Sequence, residues 1–188
     1  MPPAAPRRSA LALAALLVLL PLAAAAKQGD PRLDGLFARL KAATTQAEAA
    51  PVEAEIWAVW GEAPDPEAGA LLARAEAAIA RRDYTEALDA LDTLVRRAPD
   101  FAEAWNKRAT VRYLIHDYRG SVLDIRRTLA LEPRHFGALS GLGLVYLALD
   151  DPKAAARSFE AALALYPLMP GAKAHLEMLR GELQGEPL

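Results

Sequence analysis

Pro99, Pro133 and Pro167 stand 34 residues apart, and each closes a stretch with the same internal layout. A fixed period of that length confines the chain to architectures in which one small unit is stacked on copies of itself. Each unit then contacts only its neighbours, and the core runs continuously through the stack. With the three prolines on one repeat position, the units are residues 68–101, 102–135 and 136–169.

Within these units the same side-chain types recur. A large residue falls on Leu71, Trp105 and Leu139. A small one falls on Ala75, Ala109 and Gly143. A turn follows at Asp83-Tyr84, Asp117-Tyr118 and Asp151-Pro152, then a small residue at Ala87, Ser121 and Ala155. A bulky one comes last, at Leu91, Ile125 and Phe159. Two antiparallel helices approach closely only where a small side chain faces the neighbour, and the bulky residue fills the groove beside it. Asp83, Asp117 and Asp151 are placed to cap second helices. Glu86, three residues after Asp83, has capping-box spacing. Pro152 sits where a missing donor costs nothing.

This constellation resembles the tetratricopeptide repeat (TPR) family. The resemblance implies an all-α, right-handed α-solenoid of three repeats. Its first helices normally carry large apolar residues where this chain has Arg74, Ala78, Arg108 and Arg112; the third repeat, with Leu142 and Tyr146, keeps the usual type. Repeats one and two must therefore pair or solvate those guanidinium groups.

Residues 1–26 read as a cleavable secretory signal. Arg7 and Arg8 precede an apolar run from Ala10 to Leu22, and Ala24-x-Ala26 stands before Lys27. Pro21 breaks the run before it can serve as a membrane helix. The alternative is an uncleaved anchor. The chain holds no cysteine, which excludes disulfides, thiolate metal sites, cysteine nucleophiles and a lipidated cysteine. Without Arg7 and Arg8 the balance is 20 basic to 24 acidic residues, with no basic stripe, so nucleic acid is not the expected partner. The Ala, Arg and Pro bias together with the signal points to a Gram-negative bacterium. The expectation is thus a periplasmic or secreted protein with no stable membrane insertion after cleavage.

Two segments flank the repeats. Residues 27–66 read as a degenerate helix pair and linker. Leu33, Leu36, Phe37 and Leu40 have helical spacing, and a second helix runs from about Val52 to Trp60. Shifted by one period, Trp57 matches Leu91, so the pair is expected to cover the exposed face of repeat one, with Trp57 and Trp60 in the packing. Residues 170–188 read as a cap helix and tail. Ala172, Leu176, Leu179 and Leu183 lie on one face, and Gly185 and Pro187 end the helix.

The residues nominate no chemistry. His116, His135 and His175 share no metal-ligand spacing. No serine sits in a nucleophile elbow. Gly137, Gly141 and Gly143 lack the Lys-Ser or Lys-Thr of a phosphate loop and read as close-packing residues. No metal, no cofactor and no enzyme activity is therefore expected. The resemblance instead implies a concave groove for a protein or peptide. Its positions fall on Leu72, Glu76 and Ile79 in repeat one and on Asn106, Thr110 and Tyr113 in repeat two. Repeat three supplies Ser140, Leu144 and Leu147, with Arg134 and His135 at the junction. The Lys and Asn set with which some relatives grip a chain's C-terminal carboxylate is not reproduced. The expected role is a periplasmic adaptor in envelope-complex assembly. A membrane-anchored assembly factor is the alternative and an enzyme the remote one.

Overall fold

The computed structural model describes residues 30–183. The expected signal over residues 1–26, its cleavage site at Lys27 and the tail from Gly185 lie outside them. The described residues form nine helices: α1 (Pro31–Ala42), α2 (Gln46–Trp60), α3 (Pro66–Ala80), α4 (Tyr84–Arg97), α5 (Ala102–Leu114), α6 (Tyr118–Leu131), α7 (Phe136–Ala148), α8 (Pro152–Leu165) and α9 (Pro170–Leu183). The repeats are the antiparallel pairs α3–α4, α5–α6 and α7–α8, each stacked on the next. The fold is an all-α TPR solenoid. No described helix is long and apolar enough to cross a membrane.

The second helices begin where the aspartates stand. Asp83, Asp117 and Asp151 accept from the backbone N–H of Glu86, Gly120 and Ala154 at 3.0, 2.9 and 2.9 Å. The reciprocal half of the expected capping box is missing, because Glu86 is drawn away to Arg74 and Arg81, both at 3.0 Å. A reciprocal cap forms instead at α2. Thr45 Oγ1 accepts from Glu48 N, and Glu48 Oε2 accepts from Thr44 N at 2.8 Å. That backbone bond holds the Glu48 carboxyl below its usual range. It also starts α2 six residues before Val52 and carries Pro51 inside the helix. Each first helix of a repeat ends on a left-handed residue, Arg82, His116 or Asp150, with φ of 60, 64 and 58°. The following N–H reaches five residues back, as Asp83 N does to Ala78 O.

Close approach within repeats occurs at the expected small residues. Ala75, Ala87, Ser121 and Ala155 are fully buried. A Cβ on Gly143 would lie 2.6 Å from the Phe159 ring, so only glycine lets α7 and α8 meet. Ser121 Oγ donates to Ala109 O across the α5–α6 contact at 2.9 Å. Ala109→Leu is expected to destabilise the chain by roughly 1–3 kcal/mol through overpacking, read as a lowered midpoint in thermal unfolding.

The arginines of the first helices are paired. Arg74 reaches Glu86. Arg108 binds both oxygens of Asp124, at 2.7 and 2.8 Å, and Asp92 at 2.8 Å, while Arg112 reaches Asp124 at 3.0 Å. Asp92 is on α4 and Asp124 on α6, so Arg108 ties the second helices of two repeats through the first helix between them. Burial alone would lower the Arg108 pKa; Asp124 and Asp92 outweigh it and hold the pKa above its usual value.

The N-terminal hairpin corrects the expected end cap. The core of repeat one, built on Leu72, Leu91 and Leu94, takes no residue from α1 or α2. Leu33, Leu36, Phe37 and Leu40 instead pack with Ala49, Val52, Ile56 and Trp60 into a cluster that also takes in Phe136 and Tyr166 of repeat three. The match of Trp57 to Leu91 does not survive. Ile56 and Trp60, one turn apart, lie on the buried face of α2, and Trp57 is half-buried. At the other end α9 covers α8 through Ala172, Leu176 and Leu179.

Candidate functional site

The groove positions are expected on the first helices α3, α5 and α7. The residues expected there divide into three sets. Glu76 and Thr110 are exposed, and Tyr113 and Ser140 are half-buried. Tyr113 packs against Tyr118, with ring centroids 5.9 Å apart. Leu72 and Ile79 belong to the core of repeat one, and Leu144 and Leu147 pack with the α8–α9 cluster. These four groove candidates hold helices together and offer no open apolar surface.

Asn106, Arg134 and His135 form the third set, and none is free to meet a partner. Asn106 Nδ2 donates to Glu103 Oε2 at 3.0 Å. His135 is fully buried at the α7 N-cap. Its Nδ1 accepts from Ala138 N, and its Nε2 lies 3.1 Å from Glu103 Oε2. Glu103 is thus the buried hub of this corner. Lys107 completes it, 3.5 Å from Glu103 and 2.9 Å from Glu76. Desolvation pulls the Lys107 pKa down, but the two carboxylates outweigh it and raise the pKa overall. Glu103 escaped the sequence reading, because the family's groove pattern does not weigh its position, and Lys107 entered it only as a neighbour of Asn106 without matching partners.

What closes this corner is the hairpin. Trp60 stacks on His135 with ring centroids 4.1 Å apart and planes 11° from parallel. Trp57 meets Phe136 edge-on, and its ring occupies the space a Cβ on Gly137 would need, 2.5 Å from the nearest carbon. Arg134 lies over the Phe37 ring at 4.8 Å and pairs with Asp34 at 2.6 Å. The Tyr166 hydroxyl accepts from Gln46 Nε2 at 2.8 Å and donates to Glu53 at 3.0 Å. The close-packing reading of the glycines therefore holds for Gly137 and Gly143. A Cβ on Gly141 would make only ordinary contact with Ile125 at 3.9 Å.

Burial first, then the hydrogen bond to Glu53 and its charge, raises the Tyr166 pKa, against the bond from Gln46. A folded pKa above the unfolded one contributes stability that is complete below the unfolded value, about 10 for a phenol. That contribution is lost as pH climbs through the folded value. Hairpin docking is expected to loosen only above about pH 10, seen as a red shift of tryptophan emission. Tyr166→Phe should remove that component and leave the rest of the profile.

Over residues 72–118 and 115–170 the chain matches the family model for the tetratricopeptide repeat. The chain belongs to the TPR family. It is 35% identical over 154 residues to a TPR repeat-containing protein of Rhizobium etli, spanning 82% of this chain and 76% of that one. Among solved structures the TPR array is similar to the first TPR of Spaghetti (RPAP3) bound to the HSP90 peptide SRMEEVD. The TM-score is 0.62 at 20% identity, covering 65% of this chain and 97% of that one. It is also similar to MamA, with a TM-score of 0.59 at 18% identity, covering 82% of this chain and 83% of that one. At such identities these likenesses establish the fold. No group of His, Cys, Asp or Glu among the described residues could hold a metal ion.

Proposed function

We propose that this chain is an exported TPR adaptor that holds a protein or peptide segment on the inner face of its solenoid and serves assembly in the cell envelope. The observation that carries the reading is the side-by-side stacking of three repeats, which leaves Glu76, Lys107, Thr110 and Tyr113 on one solvent-reachable face. A solenoid of this kind offers an extended surface instead of a catalytic cleft. The similar Spaghetti (RPAP3) domain carries a bound HSP90 peptide, which supports a peptide or protein as ligand. A chaperone tail is not the reading for this chain. Its Lys107 is committed to Glu76 and Glu103, and Asn106 is buried against Glu103. The proposed role is therefore binding, the use to which extended solenoid surfaces are suited.

Affinity purification of the full chain from the envelope fraction tests the reading. Thr110→Trp, an exposed change that fills the open part of the face, should keep the helical circular dichroism signal and lose the co-purified partner. Undiminished recovery would move the binding surface elsewhere. Asn106 and Arg134 are unsuited to this test, since one is buried and the other ties down the hairpin. Export is checked on the same sample. The mature protein is expected to begin at Lys27, and N-terminal sequencing that still finds Arg7 and Arg8 would mean a retained anchor.

A further inference from the structure

The hairpin occupies solenoid surface that the repeats themselves do not need. Its contacts fall on the approach to α7 and the end of α8: Arg134, His135, Phe136, Gly137 and Tyr166. Three observations show a contact made to part. First, α1 and α2 pack far more extensively on each other than on the repeats, so the hairpin can leave as a unit although its core is shared with Phe136 and Tyr166. Second, Trp60 Nε1 is buried with no acceptor among the described residues, an unmet demand that release would relieve. Third, the polar tie from Asp34 to Arg134 is exposed, with Asp34 at 81% accessibility, and such pairs hold weakly. The exposed linker segment at Glu62 and Pro64 is the tether.

The occupant also states the chemistry its site accepts. Gly137 leaves a slot one indole edge wide. The His135 ring offers a stacking plane, and Arg134 offers a guanidinium to a carboxylate with an aromatic ring beneath it. The Tyr166 hydroxyl takes an amide and a carboxylate. We propose that this surface, at the junction of repeats two and three, is a docking site for a helical segment bearing aromatic residues and a carboxylate. The α1–α2 hairpin is its resident occupant and gives way to a partner segment of that chemistry. The proposal rests on the reading of the inner face as the partner-binding surface and adds what is recognised and what must move.

The absence of native cysteine makes a clean test possible. In the full chain carrying Asp34→Cys and Pro133→Cys, the second an exposed neighbour of Arg134 outside the docking contacts, a bismaleimide latches the hairpin to the solenoid. The probe is a labelled synthetic peptide of this chain's own residues 30–62, followed by fluorescence anisotropy. The unlatched protein should bind it, and latching should weaken binding at least tenfold. Equal affinity of the two forms, or no binding by the unlatched form, overturns displacement. Gly137→Leu added to the unlatched protein should abolish binding. If peptide still binds there while latching matters, the Gly137 slot is not the docking site and the proposal is overturned, whereas failure of the inner-face reading shows separately, as undiminished partner recovery by Thr110→Trp. Circular dichroism on each variant confirms that the repeats stay folded.

Discussion

Asp124→Ala is expected to cost about 3–5 kcal/mol, the loss seen when one partner of a buried charge pair is removed. Asp124 is 2% exposed and receives three contacts between 2.7 and 3.0 Å from Arg108 and Arg112. Without it, Arg108 keeps only the half-exposed Asp92, and Arg112 keeps Gly120 O and a distant Asp117. Two guanidinium groups are then left short of hydrogen bonds between helices. The loss should appear as a lower urea midpoint with an unchanged slope. Asp124→Asn, which keeps the shape and one acceptor, should cost less. A change under 1 kcal/mol in the alanine variant would show that the arginines turn to solvent, as surface residues do. Because Arg108 joins α4 to α6, the damage should spread beyond repeat two.

Gly137→Leu is expected to release the N-terminal hairpin and leave the solenoid intact. The three atoms nearest the added Cβ are two of the Trp57 ring, at 2.5 and 2.9 Å, and His135 Cε1 at 3.5 Å. Overpacking costs about 1–3 kcal/mol. Here it falls on docking, a shift of roughly 5- to 150-fold in that equilibrium. Inside α7 itself the change exchanges a poor helix former for a good one, a gain approaching 1 kcal/mol. Tryptophan emission should therefore shift to the red, and the linker between α2 and α3 should become a preferred site of proteolysis. The main unfolding transition should hold or rise. Global unfolding instead would mean that the hairpin is an integral part of the array's stability.

The two substitutions differ in what sequence reasoning can see. The need behind Asp124 is legible: Arg74, Arg108 and Arg112 break the apolar pattern of the first helices, so each requires a partner. Which carboxylate answers depends on inter-helix geometry, and Asp124 follows Arg108 by sixteen residues on another helix. The need behind Gly137 is not legible. The glycine-rich run 137–143 signals close packing at several positions alike. Only the fold shows that Gly143 faces Phe159 in its own repeat and Gly137 faces Trp57 from the far end of the chain.

The groove shows the same division. The family resemblance assigns Leu72, Asn106 and His135 to the groove and its junction, and the fold buries all three. Whether an inward residue meets solvent depends on what lies over it. For Asn106 that is the Glu103–His135 corner under the hairpin, and for Leu144 it is the α8–α9 cluster. Helix spacing carries direction along one element and carries nothing about a segment returning from elsewhere.

By itself the sequence determined the repeat architecture. The 34-residue period, the small residues at helix contacts and the aspartate caps act within a turn or between adjacent helices, where geometry follows from spacing. It also indicated that α1 and α2 pair, since together they read as a degenerate copy of the repeat unit. Tertiary structure alone decided where that pair goes. A degenerate hairpin on a short tether can cover the end of repeat one or reach the corner of repeat three. The choice rests on shape and charge at a distance: an indole opposite a missing side chain, a ring stacked on His135, and Asp34 within reach of Arg134.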